Sequence, residues 1–187
     1  MSFKVLVVPE NPTYNGYILK PLVEAILADA NKPRAKVHVL TSPHLNGYVQ
    51  AKEAIRGEKL AVEYGFYDLW LFIPDADCAT PDAMRALEEE CAGKNIKLVC
   101  CPAQPEVEIY ACVAHRDKLG APWQTVRSER DMKEKYFDPF LAKYGDWRAS
   151  GGGRAELIKA SLTPMSALYQ LCPELADLRD RIAQLFP

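Results

Sequence analysis

Leu69-Trp70-Leu71-Phe72-Ile73 is apolar at every position and is stopped at once by Pro74-Asp75. A strand with one face in water alternates apolar and polar residues; one with no polar position is covered on both faces. Such a strand calls for helices above and below its sheet. Apolar runs at 4–8 (KVLVV), 36–40 and 96–101 repeat the pattern. Helical spacing fills the gaps, at about 17–30, 47–64 and 80–93, with Leu19, Leu22, Val23, Ile26 and Leu27 on one side of the first. Pro9, Pro12, Asn15 and Gly16 read as the loop before it. Thr80-Pro81 is a helix start, Thr capping and Pro in the first helical position. The alternation predicts a three-layer α/β domain around a mostly parallel four-stranded sheet, with strands 1 and 3 side by side.

Strand signals stop after Val107. Helices are expected at 107–115, 129–144, 153–162 and 173–186. The chain therefore divides into an α/β domain over 1–115 and a helical extension over 116–187, packed on the same domain and adding no strand.

Length and charge remove several classes of function. A chain of 187 residues builds one ordinary domain, and 49% hydrophobic with 26% charged residues is a globular balance. Net charge is −2, whereas bare electrostatic capture of nucleic acid needs a strongly basic surface. No run reaches the roughly 20 apolar residues of a membrane span. Pro9-Glu10 cuts short the N-terminal apolar stretch, a strand rather than a signal peptide. The six cysteines form no CxxC pair and the three histidines have no ligand spacing, which speaks against structural zinc. Cys100 and Cys101 lie in an apolar run, as buried thiols of a reducing compartment do. The expectation is a cytoplasmic protein with no membrane association.

Parallel α/β domains bind ligands beyond the carboxyl ends of their strands. Strand 1 ends at Pro9-Glu10-Asn11, strand 3 at Pro74-Asp75-Ala76-Asp77, and strand 4 runs into Pro105-Glu106-Val107-Glu108. In an extended segment Asp75 and Asp77 point the same way. Carboxylates crowded at one edge repel unless a cation sits among them, and all-oxygen ligands favour Mg²⁺ or Mn²⁺. Glu10, Asp75, Asp77, Glu106 and Glu108 are thus candidate metal ligands. Arg154, opening a helix after Gly151-Gly152-Gly153, and Lys159 are candidate phosphate-binding residues; a helix N-terminus behind glycines can hold phosphate through backbone N–H groups. Arg116 and Lys118 are weaker candidates. Residues 116–159 carry 10 basic and 7 acidic side chains, the remainder 13 and 18.

The order strand–Glu–loop–helix and then strand–DxD resembles the Toprim domain of topoisomerases, bacterial primases and OLD-family nucleases. Glu106-Val107-Glu108-Ile109-Tyr110 is similar to the E-[IV]-E-x-[WY] element of OLD-type nucleases, which recurs in a family of small bacterial Toprim-like proteins. Pro12-Thr13, the GGGR segment and the Cys-Pro-Glu-Leu start of the last helix are similar to that family too. The resemblance implies that Glu10 serves metal binding or acid/base work, that Asp75 and Asp77 are metal ligands, and that Glu108, with Glu106 beside it, belongs to a second metal. On that footing Glu10, Asp75, Asp77 and Glu108 are the catalytic set. The chain departs from the pattern in having Asn-Pro after Glu10, and Tyr14 where many OLD-type sites carry a carboxylate. What the resemblance implies is a Toprim-like sheet in a metal-dependent nuclease, or related phosphodiester-transferring enzyme, acting on DNA or RNA. Such relatives commonly work beside an ATPase partner in phage defence.

Three other readings stand beside it. One is a non-catalytic Toprim-like scaffold docking on an ATPase, favoured by near-neutral charge. Another is a GT-A-like glycosyltransferase, whose DxD strand end Phe72-Ile73-Pro74-Asp75-Ala76-Asp77 resembles, although the ExE-x-Tyr element then has no role. A haloacid-dehalogenase-type phosphatase fits least, since its nucleophilic Asp belongs on the first strand. A dinucleotide site is poorer still, as Glu10 to Gly16 holds no GxGxxG.

Overall fold

The computed structural model describes residues 2–187. Strands β1 (Lys4–Val8), β2 (Lys36–Val39), β3 (Leu69–Phe72) and β4 (Leu98–Cys100) form one all-parallel sheet in the order β2-β1-β3-β4. β1 and β3 are neighbours as expected, with Val8 opposite Phe72. The most apolar strands take the centre because only there are both faces and both edges covered. β2, with only partly buried or exposed positions, lies at an edge.

Side-chain alternation sorts the apolar residues into two cores. Val5, Val7, Leu69, Leu71 and Val99 point to one face, and Leu6, Val8, Trp70, Phe72 and Leu98 to the other. Helix α1 (Pro12–Asp29) covers the first face with Ile18, Leu22, Val23 and Ile26. Helices α2 (Tyr48–Arg56), α3 (Glu58–Tyr64) and α4 (Pro81–Ala92) cover the second through Ile55, Leu60 and Leu87. The three-layer α/β architecture is as expected.

Several boundaries differ. α1 begins at Pro12 rather than near Tyr17, so Pro12, Asn15 and Gly16 are helical and not loop. The Asn11 side chain accepts the Thr13 N–H at 3.0 Å, and Pro12 sits where a missing N–H has no cost. Such a cap is worth about 1 kcal/mol. The helix expected over 47–64 is broken at Gly57, whose backbone is extended (φ −70°, ψ 146°), into α2 and α3. α4 starts as expected, with Thr80 Oγ1 accepting the Ala83 N–H at 3.3 Å.

In the second half, α5 (Ile109–Cys112) continues as a 3₁₀ turn over Val113–Lys118. α6 (Trp123–Ser128) and α9 (Met165–Leu171) were not anticipated. The single helix expected over 129–144 is instead a π-helical turn, Lys133–Phe137, leading into α7 (Asp138–Tyr144). α8 (Arg154–Ser161) and α10 (Pro173–Leu185) complete the chain. Among the described residues none of these segments adds a strand, and their buried Ile109, Phe137, Ile158, Leu175 and Ile182 join the core under α1. α10 is tied twice. Arg127 meets Glu174 through two hydrogen bonds of 3.1 and 3.0 Å. Arg181 bonds the Cys100 carbonyl at 3.0 Å and both oxygens of Glu88, which accepts the Cys100 N–H. This pair caps the outer edge of β4 at Cys100. Cys100 and Cys101 are buried thiols, as expected. No helix of the described residues is long and apolar enough to cross a membrane.

Candidate functional site

The carboxyl edge of the sheet gathers the acidic residues of three strand ends. Glu10, just past β1, accepts the Asp75 N–H on Oε1 at 3.1 Å. Asp75, just past β3, accepts the Val107 N–H on Oδ1 at 2.9 Å, and it pairs with Ala103 in an isolated parallel bridge. Glu106 accepts the Lys133 N–H on Oε2 at 2.7 Å. The ends of β1, β3 and β4 are thus stitched together in series, each carboxylate holding the backbone of the next segment. Asp75, Asp77 and Glu106 face a cleft of about 1050 Å³, which Arg130 and Lys135 also line.

Burial and mutual repulsion raise the proton affinity of this group. Desolvation first, then the charges of Asp75 and Asp77, push Glu10 up to about 7. Asp75 is raised to about 6 by desolvation and by Glu108. Glu106 is raised to about 7 by desolvation and by Asp75, Glu108 and Glu134. Glu108 is buried and raised mainly by desolvation, with Lys133 and Arg154 pulling the other way.

The structure brings all five carboxylates into one electrostatic group, Asp77 through its effect on Glu10 and Asp75. The chain leaves the extended conformation at a 3₁₀ turn, Ala76–Cys78, held by Ala76 N–H to the Pro105 carbonyl at 2.9 Å. The extended backbone on which the DxD alternation rests ends before Asp77, and the two carboxylates line the same cleft by way of a turn. Asp77, 44% exposed, lies 3.9 Å from Arg130.

Lys133 was not anticipated. Its N–H binds Glu106 and its ammonium lies 3.6 Å from Glu108, so the ExE element closes around one lysine. Its only sequence signal is membership of the mildly basic 116–159 stretch; no spacing points to it. Arg154 is 8% exposed. Its guanidinium lies over Tyr14 at 4.5 Å and near Phe137 at 5.4 Å, donates to the Gly151 carbonyl at 3.1 Å, and leaves a buried Nε without a partner. Gly151 has φ +64°, and a Cβ there would come within 2.5 Å of the Tyr17 ring. The triple glycine is therefore a conformational necessity, seating the loop on α1. Tyr14, standing where a carboxylate was sought, is the platform for this arginine. Lys159 is exposed in the last turn of α8 and has no ion pair with a described residue, so no contact brings it to the acidic edge. Arg116 donates to the Val113 carbonyl at 3.1 Å, and Lys118 lies over the Tyr144 ring.

The donor set decides whether a hard cation suits this edge. Among the described residues no three His, Cys, Asp or Glu side chains close on one point as a metal-holding group. A cage made wholly of protein ligands is not built here. Mg²⁺, however, commonly takes one or two carboxylates and completes its shell with waters and substrate phosphates. Glu10 and Asp75 fit that lesser demand. Each keeps one oxygen that no described residue hydrogen-bonds, and each is held at a high pKa first by burial and then by negative neighbours.

No family model matches this chain, and no curated protein or solved structure matches it either.

Proposed function

We propose that this chain is a Toprim-like, Mg²⁺- or Mn²⁺-dependent nuclease or related phosphodiester-transferring enzyme. The observation that carries the reading is the Glu10–Asp75 contact, which joins the ends of the two central strands through a 3.1 Å hydrogen bond. Glu10 and Asp75 would hold the cation, with Asp77 at the rim. When bound, the cation supplies positive charge against the phosphate oxygens and acidifies a water. Glu106 keeps Oε1 clear of Lys133, and a carboxylate near pKa 7 is matched to take a proton from water at neutral pH. Glu108 keeps the Lys133 ammonium in place, and Arg130 and Lys135 offer positive charge along the cleft where a phosphate backbone would lie. The sequence resemblance extends the proposal to DNA or RNA as substrate, an ATPase partner, phage defence and a cytoplasmic setting.

The test is cleavage of single- and double-stranded DNA and RNA with Mg²⁺ or Mn²⁺, alone and with an ATPase partner. The Asp75→Ala, Asp77→Ala double variant should lose turnover by at least about 100-fold, the scale of removing a group that stabilises transition-state charge. Full activity in that variant would end the catalytic reading.

A second reading draws on the same contacts. Glu10, Asp75 and Glu106 each accept a backbone N–H from another segment, so the carboxylates also serve as struts of a non-catalytic scaffold docking on an ATPase. A native protein that binds its ATPase yet shows no metal-dependent cleavage on any of these substrates would favour it.

A further inference from the structure

We propose that the surface running from Tyr144 through Trp147 and Tyr17 to Tyr14 binds single-stranded nucleic acid, one base seating in the cleft between α1 and the open edge of β2. The choice of ligand rests on the phosphodiester reading above. The surface itself is argued from its own side chains.

Trp147 is 77% exposed, and Tyr144, Tyr14 and Tyr17 are 45, 45 and 43% exposed. Exposed aromatics mark a binding surface where they lie together, and the Gly151–Tyr17 and Arg154–Tyr14 contacts bring the 144–154 segment to α1. Three of the four carry a cation over the ring. Exposed Lys143 and Lys118 lie 5.0 and 5.4 Å from Tyr144 and exposed Arg148 lies 4.9 Å from Trp147, while Arg154, itself buried, lies 4.5 Å from Tyr14 and orients that ring. The fourth, Tyr17, is the ring against which Gly151 packs, so the loop carrying Trp147 and Arg148 is seated on α1. The one carboxylate among residues 143–154, Asp146, is occupied in accepting the Arg148 N–H at 2.9 Å.

Beside Tyr17 opens a cleft of about 540 Å³ between the first two turns of α1 and β2, the last strand on that side of the sheet. While the His38 ring turns to the other face and stacks on Tyr64 at 5.6 Å, Thr13, Tyr17, Lys20 and Thr41 supply the cleft's polar groups and no carboxylate lines it. It differs in this from the acidic cleft below Asp75. An aromatic wall, two hydroxyls and an ammonium suit a nucleobase and its phosphate.

Alternating cations and exposed rings recognise strands whose base faces are free, and a duplex hides those faces. The overall charge of −2 lacks the broad basic field that holds duplex backbone. The path also leads to the reactive edge, since Thr13 and Tyr14 lie within one turn of Asn11, next to Glu10.

The experiment is done in EDTA, so that neither metal nor cleavage enters. Fluorescence anisotropy compares a labelled single strand of about 20 nucleotides, long enough to cover one binding fold, with its duplex. The single strand should bind more tightly, quench tryptophan emission, and weaken steeply with salt. Trp147→Ala should lower its affinity by about tenfold, the loss of one base-stacking contact, and abolish most of the quench, whereas Trp147→Phe should retain most of the affinity. Lys20→Glu should weaken it as well, with unchanged thermal stability. No binding, equal binding of duplex and single strand, or an unaffected Trp147→Ala would each overturn the proposal. The Asp75→Ala, Asp77→Ala variant should bind the single strand as the native protein does, and the native protein separates the two readings. Single-strand binding without cleavage by the native protein under any divalent metal supports this surface and sinks the nuclease. Metal-dependent cleavage without single-strand binding does the reverse.

Discussion

The two ends of the acidic edge solve the same electrostatic problem differently. At the β4 end Glu108, its side chain 3% exposed, faces the Lys133 ammonium at 3.6 Å, and Glu106 is fixed by the Lys133 N–H. At the β1–β3 end Glu10 and Asp75 are pressed together with no ion-pair partner among the described residues. The protein carries its own cation at one end and at the other leaves negative charge that only protons or an added cation can relieve. The β4 end is partly balanced by its own lysine and the β1–β3 end is not, and that difference can be tested.

The sharpest way to break the contrast is to remove the resident cation. Lys133→Met leaves a buried Glu108 without its counter-charge and should destabilise the fold by about 3 kcal/mol, the low end for breaking a buried pair. The loss should be larger at pH 8 than at pH 5, because burial raises the Glu108 pKa and a protonated Glu108 needs no counter-charge. Adding Glu108→Gln should restore most of it. Urea unfolding at the two pH values measures both, and an unchanged midpoint at pH 8 would show that Lys133 does not balance Glu108.

Next in size is the pH dependence of the other end. Glu10 and Asp75 are raised in the folded protein to about 7 and about 6, from ordinary values of 4.5 and 3.8. Between those limits the folded state holds more protons than the unfolded one, so metal-free stability is greatest below about pH 4 on this account and falls as pH rises through 6 and 7. The melting temperature should drop by about 5 °C from pH 5 to pH 8, the equivalent of between 1 and 2 kcal/mol in a chain of this size. Mn²⁺ should flatten that slope by favouring the ionised form. A flat metal-free profile would contradict the crowding.

The smallest effect sharpens the picture at one atom. Glu10→Gln keeps an oxygen for the Asp75 N–H and removes one negative charge. It should stabilise the metal-free protein at pH 8 by about 1 kcal/mol and leave it unchanged at pH 5. The same variant should lose the Mn²⁺ response of the melt. Destabilisation at both pH values would mean that the carboxylate serves as a strut alone.

How much of this could be read from the chain depends on how local the cause is. β1 and β3 were legible because an unbroken apolar run has few alternatives, and Glu10 and Asp75 followed because strand ends place residues in space. Pro12 misled, since a proline reads as a breaker until Asn11 is seen capping the helix it starts. The π-helical turn over Lys133–Phe137 was illegible for a different reason. The Lys133 N–H is claimed by Glu106, 27 residues earlier, and no local pattern encodes that bond. Asp77 reaches the cleft by a route that alternation does not give, because the chain turns at Ala76, one residue before it.

Arg181 has a further consequence, one of timing. The Cys100 carbonyl on the outer edge of β4 has to await a guanidinium 81 residues downstream. At a synthesis rate of roughly 5–20 residues per second, that interval lasts on the order of 4–16 s. Glu88 already exists by then, but the arginine that orients its carboxylate does not. During those seconds the nascent chain presents an unguarded strand, the form in which neighbouring polypeptides recruit one another. A premature stop anywhere in α10 before Arg181 would make the interval permanent, so the harm from such a truncation would appear first as aggregation on the ribosome-bound or newly released chain rather than as lost chemistry.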